Sequence, residues 1–158
     1  MRRFSILLIA AAALTLSAPT PSAAEATANA KIIKVLPTFL DMKGRHALSP
    51  SLYERDAYQA LLRKDKKLIS GMRFDVQWKA SSAVSEKLVL RLELRVSNAH
   101  EAKPIILEQE VSRKKRGSRW SRLIMDGEKF HETGAVLAWR ATLLDAGTPA
   151  AQRTSFLW

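Results

Sequence analysis

Met72-Arg73-Phe74-Asp75-Val76-Gln77-Trp78 and, after a short polar gap, Leu88-Val89-Leu90-Arg91-Leu92-Glu93-Leu94-Arg95-Val96 decide the fold class. In the first run Met72, Phe74, Val76 and Trp78 share one face, with Arg73, Asp75 and Gln77 on the other. In the second, Leu88, Leu90, Leu92, Leu94 and Val96 oppose Arg91, Glu93 and Arg95. Strict alternation is the period of a strand buried on one face, and strands of this kind belong to antiparallel sheets with one wet side.

Working outward, Ile33, Val35 and Phe39 keep one parity through Pro37. Proline cannot donate to a ladder, so this segment is expected at a sheet edge or a bulge. Residues 105–111 form a further run after Pro104, and residues 120–125 another, ending at the turn pair Asp126-Gly127. Residues 136–144 place Leu137, Trp139, Ala141 and Leu143 on one side of a strand, against Arg140 and Thr142. After a turn at residues 145–149, a last strand over residues 152–158 is expected to help close the core with Phe156 or Leu157 and Trp158.

One segment breaks the rhythm. Ser49 can cap a helix with Pro50 at its first position, or Ser51 and Glu54 can form a capping box. Tyr53, Ala57 and Leu61, with Tyr58 and Leu62, then supply an apolar stripe over three or four turns. Such a helix is too short to stand alone and is expected to dock on the open end of the sheets. Seven strands and one short inserted helix predict an all-β, two-sheet antiparallel sandwich. A small closed barrel is the rival, and an α/β fold would need repeated crossover helices.

The two final runs, Val136-Leu137-Ala138-Trp139-Arg140-Ala141-Thr142-Leu143-Leu144 and Ala151-Gln152-Arg153-Thr154-Ser155-Phe156-Leu157-Trp158, resemble the closing hairpin of immunoglobulin-like and fibronectin-type-III-like modules. In these modules an aromatic of the penultimate strand fills the core, and Trp78 is a second core candidate. The chain departs from true immunoglobulin domains in having no cysteine, and the helix near Ser51 is not part of the minimal fold. The resemblance implies a spacer, an assembly surface or a ligand platform.

At the other end, Met1-Arg2-Arg3 precedes an uncharged apolar run over residues 4–16 and the small-residue segment Ser22-Ala23-Ala24. This is the pattern of a cleaved secretory signal, and the run is shorter than the roughly 20 residues of a spanning helix. Residues 1–24 are therefore read as a signal peptide, 25–30 as a polar leader and 31–158 as one domain, exported to the periplasm or beyond. An uncleaved interfacial anchor is the other reading.

The 158 residues carry 26 Lys and Arg against 15 Asp and Glu, a net charge of +11, and the hydrophobic fraction of 47% suffices for a core. The lack of cysteine excludes disulfide frameworks, thiolate zinc, iron–sulfur clusters and cysteine nucleophiles. His46, His100 and His131 have no metal-binding spacing, no serine sits in a nucleophile elbow, and no glycine-rich phosphate loop occurs. No cofactor and no enzymatic activity are expected.

The strongest remaining signal is basic. Arg113, Lys114, Lys115, Arg116, Arg119 and Arg122 place six cations within ten residues, beside Trp120. The segment is expected as a projecting hairpin tip, either simply solvated or touching an acidic protein, an envelope polyanion or anionic lipid. Arg63, Lys64, Lys66 and Lys67 form a second cluster, explained locally by the helix dipole. Export argues against nucleic acid. The leading expectation is a non-catalytic binding or assembly module working by protein–protein contact, through an edge strand or through the basic tip. Polyanion or lipid binding comes second, and a hydrolase with an unrecognised site third.

Overall fold

The computed structural model describes residues 29–98, 103–113 and 117–158. The expected signal peptide and most of the polar leader lie outside them, as do His100, Lys114, Lys115 and Arg116. The elements are β1 (Ala30–Asp41), α1 (Leu52–Lys64), a single 3-10 turn (Lys66–Leu68), β2 (Ile69–Ala80), β3 (Lys87–Val96), β4 (Ile105–Ser112), β5 (Arg119–Asp126), α2 (Gly127–Thr133), β6 (Val136–Asp145) and β7 (Thr148–Thr154). They form two antiparallel sheets, ordered β1-β2-β5 and β4-β3-β6-β7, an all-β architecture with helical insertions.

The alternation that decided the fold class is the alternation that builds the core. Phe74, Val76 and Trp78 of one sheet meet Leu88, Leu90, Leu92 and Leu94 of the other, all at most 2% exposed. Burying aliphatic and aromatic side chains of this size stabilises by about 1.5–3 kcal/mol each, against the entropy of ordering them. The Trp78 indole donates to the Ser121 hydroxyl at 2.9 Å, so the largest buried side chain leaves no orphaned polar group.

Several local expectations fail, each for a nonlocal reason. In β1 the register shifts between Ile32 and Lys34, so Ile32 and not Ile33 is buried beside Val35. A bulge adds a residue and flips the parity before it. A second shift beside Val96 leaves Leu137 55% exposed, while Ala138 is buried and Trp139 packs partly buried against the core. Asp126-Gly127 makes no hairpin turn: the Asp126 carboxylate accepts from the Lys129 amide at 2.8 Å and caps α2, a second helix that carries His131. Glycine is required at 127 because a Cβ there would lie 2.6 Å from the Ser70 carbonyl oxygen. The turn expected within residues 145–149 does form, as a two-residue turn at Ala146 and Gly147 with φ of 47° and 83°.

The last strand ends at Thr154, and the final aromatics do not close the core. Phe156 is fully exposed and Leu157 is largely so. Trp158 lies on the outer face of the four-stranded sheet, 4.4 Å from the Arg95 guanidinium and 4.7 Å from that of Arg140. Arg140 is itself bidentate to Glu93, whose cross-strand partner is thus Arg140 and not its neighbours Arg91 and Arg95.

Candidate functional site: a helix cleft and an open seam

Two surface features on the β1-β2-β5 sheet bear on function. The first is built by α1. Ser51 caps it by accepting from the Glu54 amide, and the Ser49 hydroxyl bonds the Glu54 carboxylate, so Pro50 stays outside the helix. Only part of the expected apolar stripe docks: Tyr58 and Leu62 pack on the core, and Tyr53, Ala57 and Leu61 do not. Tyr53 and Leu61 are exposed, while Gln59 and Leu62 are buried and Tyr58 is half-buried. Gln59 acts as a substitute strand: its carboxamide accepts from the Phe39 amide at 2.8 Å and donates at 2.9 Å to the carbonyls of Phe39 and His46.

Nearby Asp41, 5% exposed, accepts from the amides of Lys43 and Arg45, from the Arg45 guanidinium and from the Tyr58 hydroxyl, at 2.7–2.8 Å. Burial alone would raise its pKa. These donors outweigh burial and hold the carboxyl far below its ordinary value. The Tyr58 hydroxyl is pushed up by its bond to Asp41 and by burial.

Between α1 and β1 lies a cleft of about 200 Å³, lined by residues 36–38 and by His46, Arg55, Asp56, Gln59, Arg63 and Asp75. His46 Nδ1 stands 3.2 Å from an Arg73 nitrogen. A guanidinium only donates, so Nδ1 accepts and the ring is neutral. Burial and then the Arg73 charge lower its pKa. Asp75 is held by Arg73 at 2.8 Å and approached by Arg122 at 3.5 Å. A catalytic histidine is oriented by a carboxylate and aimed at a nucleophile. Here the histidine meets a cation, the carboxylate serves two arginines, and the hydroxyl of the cleft, Thr38, donates to the Arg73 carbonyl. His131 donates from Nε2 to the Ile69 carbonyl at 2.9 Å. Among the described residues no group of three or more His, Asp or Glu could hold a metal ion, and no helix is long and apolar enough to cross a membrane.

The second feature is the seam between β4 and β5. The expected hairpin is absent, because β4 pairs with β3 in one sheet and β5 with β2 in the other. The basic segment therefore connects strands of two different sheets. Its described members separate. Arg113 is half-buried with its amide on the Glu86 carbonyl, and the Arg119 guanidinium donates to the Ser112 carbonyl. Trp120 and Arg122 stand on the outer face of β5 with Ile124, alternating with Ser121, Leu123 and Met125. Trp120 and Ile124 are about half exposed, as is Ile106 on β4. A groove of about 310 Å³ runs along the seam, between residues 106–109 of β4 and residues 122–124 of β5.

The sequence pointed to Arg122 and Trp120 through charge. It gave no sign of Ile124 and Ile106 as surface residues, since isoleucine in a strand reads as core. Compared with known protein families, with curated proteins and with solved structures, the chain matches none.

Proposed function

We propose that the chain is an exported, non-catalytic binding or assembly module of immunoglobulin-like build, acting by protein–protein contact. The supporting observation is the bare edge of β5. In the seven-strand immunoglobulin arrangement the fourth strand lies beyond the fifth and covers it. Here β4 pairs with β3, so β5 ends the β1-β2-β5 sheet and has a ladder partner on one side only. An uncovered edge is a template for another strand. The nearest bonded group to His46 is the Arg73 guanidinium and the neighbouring Asp75 is engaged by Arg73 and Arg122, an arrangement that supports binding over hydrolysis.

The test is co-purification from the native envelope at low and high salt. The module reading expects a stoichiometric protein partner held at low salt, and a mature chain beginning at Glu25 in the exported fraction. Retention that follows anionic polymer or lipid, with no protein partner, would favour the second reading. A chain retained in the cytoplasm with its first 24 residues intact would refute export.

A further inference from the structure

The four sheet edges are not treated alike. On one side of the molecule β1 carries a bulge, Pro37, and the Gln59 carboxamide bonded to Phe39. Beside it β7 has a register shift next to Leu144, with Pro149 in that strand, and the Arg153 guanidinium donates across to the Ile33 carbonyl. Bulges, prolines and capping side chains are the devices that stop a sheet from growing. On the opposite side, the β2–β5 and β3–β4 ladders run without any shift, and β4 exposes Glu108 and Glu110. β5 alone joins a regular ladder to an exposed Trp120, Arg122 and Ile124.

We propose that the bare edge of β5 takes up an extended segment of a partner protein in which apolar and acidic side chains alternate. This rests on the binding-module reading and names its partner. A strand laid antiparallel or parallel to β5 continues the sheet, so its side chains point alternately to the two faces. Those pointing inward enter the seam, whose floor is the buried Leu123 and the half-buried Leu107, with Ile106 at the rim, and must be apolar. Those pointing outward lie beside Trp120, Arg122 and Ile124. Arg122 is 56% exposed and only loosely held by Asp75, so an acidic residue opposite it gains a cross-strand pair. A second copy of this chain is the wrong occupant: it would bring one strongly basic chain to another and set basic strand against basic strand.

The experiment follows backbone amide exchange and binding in the full mature chain. Three peptide probes are used: alternating Val-Glu, alternating Val-Lys, and a block peptide with the composition of the first. The proposal expects Val-Glu to slow exchange in β5, with the other two at least about tenfold weaker. Arg122→Glu is expected to reverse the preference toward Val-Lys, a gain that a misfolded variant could not show. Equal binding of the block peptide, protection at β1, β4 or α1 in place of β5, or an unchanged preference in Arg122→Glu would each overturn it. So would concentration-dependent dimerisation of the chain through β5. Capture of an envelope partner that survives both Arg122→Glu and Ile124→Lys would sink the β5 assignment and leave the module reading standing. Absence of any partner at low salt would sink the module reading itself.

Discussion

Replacing Gln59 by leucine tests whether one side chain guards the β1 edge. Leucine keeps most of the volume and removes every polar atom, so three hydrogen bonds are lost: one from the Phe39 amide, one to the Phe39 carbonyl and one to the His46 carbonyl. Each is worth about 1 kcal/mol net. Burying leucine where the carboxamide was 8% exposed returns about 1 kcal/mol. The expected cost is therefore about 2 kcal/mol, read as a fall in urea midpoint with an unchanged m-value, or a fall in Tm of roughly 4–8 °C. Exchange of the Phe39 amide should accelerate while the β2 and β3 amides keep their protection. Adding Pro37→Val restores a donor on an edge that has lost its cover, and sedimentation velocity should then show association that grows with concentration. A loss below about 0.5 kcal/mol together with an unchanged Phe39 amide would refute the view that α1 closes this edge.

Three further outcomes are expected. Asp41→Asn removes an acceptor that faces four donors and should cost about 2 kcal/mol at pH 7, toward the low end for charged hydrogen bonds because Arg45 is half exposed. The folded carboxyl titrates far below its ordinary 3.8, so wild-type stability is complete above that value and falls as acid carries the pH below it, and urea titrations should show a shallower acid limb in the variant. Trp78→Phe should cost about 2 kcal/mol and Ser121→Ala about 1 kcal/mol, with the pair less than additive because each removes the same indole–hydroxyl bond, as a double-mutant cycle would report. Trp158→Ala should cost about 1 kcal/mol through the loss of two guanidinium contacts, and a wild-type thermal midpoint in that variant would show the stacking to be idle.

What could be read from the sequence was whatever a single strand decides by itself. β2 and β3 declare their faces through uninterrupted alternation, and both are buried as that pattern requires. The failures lie where two segments decide jointly. The bulge near Ile33 belongs to the pairing of β1 with β2, and Leu137 is pushed outward by the shift opposite Val96. Gly127 looked like half of a turn because its true cause, the Ser70 carbonyl, lies far away along the chain. Gln59 carried no signal, since its partners are backbone groups of another element. The cations of residues 113–122 were plain to see, but a sequence cannot say that the strands flanking them part into different sheets.

That parting has a consequence for what β5 selects. Residues 105–111, Ile-Ile-Leu-Glu-Gln-Glu-Val, already combine apolar and acidic side chains in one strand, and in the covered arrangement such a strand would lie against β5. It is held elsewhere by an unbroken ladder from Lys87 to Leu94 on β3. The Arg91–Glu108 pair inside that ladder is about half exposed on both sides and contributes at most about 1 kcal/mol, so charge alone does not set the choice. The backbone ladder with β3 does. With its own acidic strand committed to the other sheet, β5 keeps Arg122 loosely paired and a ladder on one side only, and among the described residues an incoming acidic strand competes with β4 alone, which would first have to unzip from β3.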